Sequence, residues 1–377
     1  MASLEATSRR VPELDGIRGM AILLVLIWHY VVVQQTTLGF FNRVFLLSWS
    51  GVDLFFVLSG FLIGGILMDH RLATNYFQVF YVRRICRILP LYFLWIFLFV
   101  VVGAVAPLRT EALRWLFAQP LPLWSYATFT QNIVMARVGG FGANWLGVTW
   151  SLAVEEQFYL ALPLMIRFIP PRRLPLVLIT MIVAAPVLRI ILVARYGELG
   201  HLAGYVLTPC RADALLLGAL CAHIVRDDTL KSAVVRHRKI VYAIFAGSAA
   251  GVAMMAISGI TLWTFPMTSY GFSLLAVFYA SLLLIVVIAP ESPLGGLMRN
   301  RGLRRLGIVA YAAYMFHQGV SGLCYAIFRG HYPQMLRGSD AMVSATALLV
   351  TLSLAGLSWV AFERPILRIG HRFQYQD

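Results

Sequence analysis

The chain is 377 residues long, 60% hydrophobic and only 12% charged, against roughly 25% charged in an average soluble domain. Too little polar surface exists to clothe a soluble protein of this size, so the surrounding medium must be lipid. The net charge of +15 suggests nucleic acid at first sight, but the Lys and Arg residues lie between hydrophobic runs and form no continuous basic face; the expectation is no nucleic-acid partner, with the charge serving as a topology signal.

Apolar runs recur at the ~20-residue length that crosses a bilayer. Spans are expected at 17–33, 46–68, 88–106, 149–168, 174–194, 206–225, 240–257, 268–289, 307–328 and 341–362. The fold class is therefore an all-α polytopic membrane bundle of about ten transmembrane helices. Basic residues concentrate on alternate connections: Arg9 and Arg10; Arg71, Arg83, Arg84 and Arg87; Arg167, Arg172 and Arg173; the 226–239 stretch; Arg299 to Arg305; and Arg364, Arg368 and Arg372. The other connections hold fewer, among them Arg43, Arg109, Arg114, Arg137, Arg195, Arg329 and Arg337. By the positive-inside rule both termini are cytoplasmic. The polar N-terminus lacks a small-residue cleavage site, which argues against a removed signal peptide, and no soluble domain is expected after the last span. The connection at 107–148 carries Pro107, Pro120 and Pro122 with Trp115, Trp124, Tyr126 and Trp145; such amphipathic aromatics favour the headgroup layer, so it is expected as an outer interfacial loop. Cys86, Cys210, Cys221 and Cys324 show no CxxC pair and no His at zinc spacing, so no metal is expected.

Ionisable groups inside spans are costly and mark candidate sites. Arg18 and His29 stand eleven residues apart on the first span, which places them within about 20° on one helical face and roughly 16 Å apart along it. Arg18 then lies near the inner surface and His29 in the outer half. Asp53 in GVDLFFVLSGF, and Glu155 and Glu156 in WSLAVEEQFYL, begin their spans on the same outer side. A histidine and several carboxylates are thus expected in one leaflet. An imidazole oriented by a carboxylate is a competent general base toward a hydroxyl; the alternative for His29 is a plain interhelical hydrogen bonder. Glu155 and Glu156 diverge by about 100°, so at most one faces His29. Either glutamate, or Asp53, has the alternative of stabilising a helix start.

The inner side is cationic. Arg83, Arg84 and Arg87 precede the third span, with Pro90 expected at its first turn. Arg84 and Arg87 share a face and can clamp phosphate; ordinary anchoring is the alternative. Arg211 and Asp213 open the sixth span as a candidate pair. His317, with Tyr311 and Tyr314 before it, lies mid-span, and Ser59 with Gly60 and Gly64 suggests close helix packing or a hydroxyl facing a pore.

These segments together resemble one family. PELDGIRGMAILLVLIWHY, GVDLFFVLSGFLI, RRICRILPLY, TWSLAVEEQFYL, RADALLLGAL and YAAYMFHQ resemble, in order, blocks of the membrane-bound acyltransferase 3 family, across most of the chain. The resemblance implies a single membrane-embedded O-acyltransferase domain over 1–377. Its members use acyl-coenzyme A, usually acetyl-coenzyme A, as donor and a carbohydrate or other hydroxyl-bearing molecule as acceptor. It implies that Arg18 and His29 are the first-helix pair, Arg84 and Arg87 the Arg-x-x-Arg motif, Glu155 and Glu156 the acidic pair, and His317 the later histidine. The last block departs from the common Ser-Tyr-x-x-Tyr-x-x-His form at Ala310 and Met315. On this reading the donor phosphates sit near Arg18, Arg84 and Arg87, with Arg83 and Ser59 in the same donor region. His29 deprotonates the acceptor, Glu155 or Glu156 orients the imidazole, and Arg211, Asp213, Tyr311 and His317 support the site. The multi-pass chain is placed in the cytoplasmic membrane. A proton-coupled transporter is the rival reading, weakened because the halves show no paired Gly or Pro breaks.

Overall fold

The computed structural model describes residues 11–35, 39, 43–106 and 108–376; Arg9, Arg10 and Pro107 lie outside them. No β-strand occurs among the described residues, apart from an isolated bridge of Gln35 with Met335. Helix α1 (Pro12–Ile27) continues into a π-helical turn at Trp28–Val32 and is followed by α2 (Gly51–Asp69) and α3 (Tyr76–Val105). Four short helices come next: α4 (Glu111–Phe117), α5 (Leu123–Ala127), α6 (Gln131–Val138) and α7 (Asn144–Gly147). Then follow α8 (Trp150–Phe168), α9 (Leu174–Tyr196), α10 (Glu198–Val206), α11 (Thr208–Arg226), α12 (Asp228–Arg236), α13 (Arg238–Ile257), a π-helical turn at Met267–Gly271 leading into α14 (Phe272–Ile288), α15 (Pro293–Met298), α16 (Arg301–Ile308) and α17 (Ala310–Phe328). The chain closes with α18 (Gly338–Ser358), a π-helical turn at Trp359–Glu363, and α19 (Arg364–Gly370).

Eight of the described helices are long and apolar enough to cross a membrane. Helices α8 and α17, at 19 residues each, answer to the remaining two expected spans. They fall outside that set, and they carry Glu155, Glu156, Tyr311 and His317. Helices α2, α11 and α14 are mostly buried and form the centre. Helices α9 and α13 turn large apolar side chains outward, including Leu176, Ile179, Val183, Ile190, Ile240, Ile244 and Met254, as a lipid-facing perimeter requires. Lipid offers no hydrophobic drive between helices, so close contact rests on small residues. At the α2–α11 crossing a methyl on Gly60 would fall 1.8 Å from the Leu215 carbonyl oxygen, and one on Gly218 would fall 2.0 Å from that of Val57. Any larger residue at either position would force the two backbones apart.

Three expectations need correction. The third span does not start at 88: α3 begins at Tyr76, and its 30 residues extend about 45 Å, longer than a hydrocarbon core of ~30 Å. The arginine cluster is therefore inside a helix, and Pro90 is internal to it, withholding one amide hydrogen from the Cys86 carbonyl. The last helical run likewise passes 362 and reaches Gly370, which brings Glu363 into the bundle. The segment after α3 does more than lie on the surface. Gln131 and Asn132 are fully buried, and Trp145 stacks on Trp95 with ring centroids 4.5 Å apart. Asn132 donates to the Val206 carbonyl and Gln157 donates to the Asn132 side-chain oxygen. Irregular backbone at membrane depth is tolerated where it is buried in protein in this way.

Candidate active site

"Inner" and "outer" below denote the sides expected to face the cytoplasm and away from it. The π-helical turn at Trp28–Val32 inserts a residue into the α1 helix, a deviation that often marks functional positions; His29 sits in it. Its Nδ1 is 2.9 Å from the Val25 carbonyl oxygen. A carbonyl can only accept, so Nδ1 carries the hydrogen and Nε2 holds a lone pair. His317 on α17 repeats the arrangement, with Nδ1 2.6 Å from the Tyr314 carbonyl oxygen and a buried Nε2 that has no partner among the described residues. The two rings meet edge to face with centroids 4.5 Å apart. His29 thus faces the interior and a second imidazole, not lipid.

Both histidine backbones are clamped. The Tyr30 hydroxyl donates to the His317 carbonyl at 2.9 Å and lies 2.7 Å from the Thr351 hydroxyl. Tyr30 has one proton, so Thr351 donates to it. The Gln34 amide donates to the His29 carbonyl at 2.7 Å, while its oxygen accepts from Tyr325 at 3.0 Å and from Ser344. Tyr30, Gln34, Tyr325 and Thr351 are fully buried or nearly so. Helix α18 therefore braces the backbone of both histidines through Tyr30 and Gln34.

From His317 a ladder of tyrosines descends α17 at three-residue steps. The Tyr314 hydroxyl pairs with Ser151 at 2.7 Å and donates to the Val148 carbonyl at 3.1 Å; that of Tyr311 donates to the Ile88 carbonyl at 2.8 Å. Below it lies the charged cluster. Glu155 lies beside the hydroxyls of Ser59 and Tyr159, themselves 2.5 Å apart, and within electrostatic reach of Arg84 and Arg18. Arg18 pairs with Asp15 at 3.1 Å. Arg87 is close to Arg84, Tyr159, Tyr311 and Glu363, and Glu363 accepts from Ser358 at 3.2 Å. Ser59 thus faces the polar interior.

Several expected roles do not fit this geometry. The orienting partner of His29 is the Val25 carbonyl, and no carboxylate is hydrogen-bonded to it among the described residues. Glu155 shares the outer starting depth but points toward the arginines, because depth along a helix does not fix the azimuth. Asp53 bonds the fully buried Arg211, Asp213 bonds Arg189 at 2.9 Å, and Arg211 also lies over the Phe272 ring at 4.1 Å. These four buried charges neutralise one another and stitch α2, α9 and α11 together; Asp53, expected as a catalytic carboxylate beside His29, is instead paired with Arg211, and Arg211 and Asp213 form their own separate pairs. Arg83 turns away from Arg84 and donates twice to the Phe373 carbonyl, at 2.9 and 2.6 Å, which ties it to the C-terminal segment. Tyr159, at i+4 from Glu155, was legible as its face-mate. Glu363 was missed because the last span was ended one residue early; Tyr30 and Gln34 gave no sequence signal.

A family model described as an acyltransferase domain matches residues 11–362 of this chain. An O-acetyltransferase of Staphylococcus aureus is 26% identical over 97% of the chain, which covers 58% of that relative. A putative peptidoglycan O-acetyltransferase of Bacillus subtilis is 29% identical over 97% of the chain and 56% of the relative. A peptidoglycan O-acetyltransferase of Listeria monocytogenes is 26% identical over 96% and 56%. The chain thus spans less than two thirds of the length of these relatives. No solved structure matches it.

Proposed function

This chain belongs to the acyltransferase domain family, and on that premise we propose that it is an O-acyltransferase of the cytoplasmic membrane that moves an acetyl group from acetyl-coenzyme A to a hydroxyl of a glycan. The observation that carries the reading is the pair of imidazoles in edge-to-face contact, each with Nδ1 on a backbone carbonyl and a lone pair on Nε2, with a half-buried arginine cluster beginning at Arg18 roughly 16 Å further in along α1. The donor's phosphates bind at Arg84 and Arg87, with Arg18 beside them, through charge-assisted hydrogen bonds. Glu155, with Ser59 and Tyr159, holds Arg18 and Arg84 in place. The pantetheine arm passes the tyrosine ladder and sets its thioester at the histidines.

The acceptor oxygen attacks the thioester carbonyl carbon while its proton moves to Nε2 of His29. Collapse of the tetrahedral adduct breaks the C–S bond, and the departing sulfur takes that proton, leaving an ester and free coenzyme A. His317 holds a second lone pair against the same ring and stabilises the imidazolium as it forms. Fixing both rings from behind removes the need to reorganise them during reaction, the usual source of an enzyme's advantage over solution. The peptidoglycan named for two of the relatives supports a glycan acceptor.

The test is His29→Ala in membranes supplied with labelled acetyl-coenzyme A. Transfer to glycan is abolished while the variant folds and inserts as the parent does; wild-type transfer by that variant overturns the reading. His317→Ala is expected to lower the turnover number, with donor KM little changed.

A further inference from the structure

Adjacent residues of one helix can serve two different ligands. Glu155 looks toward α1 and α2. Glu156, about 100° around α8, looks toward Tyr92 on α3 and Tyr311 on α17, within electrostatic reach of both. Its Oε1 is buried and has no partner among the described residues, and the same is true of Oε1 of Gln131 and the phenolic oxygen of Tyr126. All three residues converge on Tyr92. The Gln131 amide donates to the Tyr92 oxygen at 3.1 Å, and the Tyr92 hydroxyl donates to the Tyr126 carbonyl at 2.9 Å. Gln131 and Tyr126 are fully buried and come from the outer segment that dips into the bundle.

The depth of this cluster matches the reaction centre. Gln131 also donates to the Thr149 carbonyl at 2.9 Å, two residues before Ser151, which pairs with Tyr314, one turn from His317. Glu156 lies seven residues beyond Thr149, about 10 Å further in. The unpartnered oxygens of Gln131 and Glu156 are thus set apart by about the length of a sugar ring along α8.

The cluster's chemistry suits an acceptor. An amide oxygen whose donors are already used can only accept, and a carboxyl oxygen without a partner accepts as well, so they match a ligand rich in hydroxyl donors. Aromatic faces complete the lining, since Phe129 stacks on Tyr92 with centroids 4.5 Å apart. We propose that Glu156, Gln131 and Tyr126 form the subsite for the hydroxyl-bearing acceptor, a sugar ring entering from the outer side under the α5–α6 segment, while Glu155 belongs to the donor side. This assignment rests on the acyltransferase reading.

The experiment uses the full chain in lipid nanodiscs, labelled acetyl-coenzyme A, and oligosaccharides released from purified peptidoglycan. Gln131→Leu and Tyr126→Phe are each expected to raise the acceptor KM about tenfold and to leave the donor KM within twofold. Glu156→Gln keeps an acceptor oxygen and is expected to fall between these and the parent. An unchanged acceptor KM in Tyr126→Phe, or equal rises in both KM values, overturns the assignment. Gln131→Leu counts only if its thermal unfolding matches the parent's; Tyr126→Phe keeps the ring and carries the test otherwise. A wild-type chain that transfers acetyl to no hydroxyl acceptor overturns the proposed function instead, and the premise of this subsite with it.

Discussion

Replacing Tyr30 by Phe removes one hydroxyl and keeps the ring, so it isolates what that oxygen does for a histidine on a different helix. The hydroxyl donates to the His317 carbonyl at 2.9 Å and accepts from Thr351, 2.7 Å away. Tyr30 is 2% exposed and Thr351 fully buried, so no water replaces the lost partner. Each such bond contributes about 1 kcal/mol net, and orphaning a buried group costs about 1–3 kcal/mol. Part of that appears as lower stability and part as a less well-held imidazole. If about 1.4 kcal/mol falls on the transition state, the turnover number drops about tenfold. Steady-state transfer from acetyl-coenzyme A should therefore show a tenfold lower kcat with little change in either KM. Thr351→Val breaks the same link from the other side, and the double variant should be no worse than Tyr30→Phe alone, since the two act as one unit. A Tyr30→Phe enzyme with kcat within twofold of the parent, or additive losses in the double variant, refutes the idea that α18 positions the pair.

Three other expectations follow from the charges. Arg84→Ala should raise the donor KM by tenfold or more with kcat largely retained, measured as initial rates against acetyl-coenzyme A concentration; a loss confined to kcat would contradict phosphate binding there. Asp53→Asn leaves Arg211 buried without its counter-charge, a change that typically costs about 3–5 kcal/mol. Its melting temperature in detergent should fall sharply, and Asp53→Leu combined with Arg211→Met should recover much of the loss; a harmless Asp53→Asn would deny the pair its structural role. The C-terminal segment gives a pH dependence. Burial and the charges of Arg83, Arg84 and Arg87 hold His371 below its ordinary value. Above ~6.5 the ring is neutral whether the segment is docked or free, so docking is at full strength. Below that value the free segment takes up a proton that the docked one resists, so docking weakens as the solution is acidified. Limited proteolysis should clip the segment faster at pH 5.5 than at pH 7.5, and Arg83→Ala, which removes two bonds to Phe373, should make clipping fast at both.

What the sequence revealed follows from which quantities a linear pattern encodes. Apolar run length and the alternation of arginines encode depth and the order of crossings, so the helical membrane bundle was legible. So was the vertical spacing of Arg18 from His29, since both lie on one helix of known rise. Azimuth between helices is not encoded. Asp53 and Glu155 near the starts of their spans and His29 near the end of its own are expected at similar depth, yet Asp53 turns to Arg211, Glu155 to Arg84 and Arg18, and His29 to His317. A buried arginine without a carboxylate is so costly that Arg211 and Arg189 decide where Asp53 and Asp213 point. Once those two carboxylates are committed, the imidazole is left to a backbone carbonyl, which orients it without adding charge.

That substitution has a mechanistic consequence. A carboxylate behind His29 would favour the charged ring and hold its proton; a carbonyl fixes the same tautomer and leaves the ring neutral, with Nε2 bare. Two neutral imidazoles in contact can share the acceptor's proton while the acyl group transfers and release it to the departing sulfur. The cluster that does bear charge is kept about three helix turns away, where it suits the anionic end of the proposed donor. The tyrosines at 311 and 314 separate the two zones with hydroxyls already bonded to Ile88 and Val148, so neither competes for the proton.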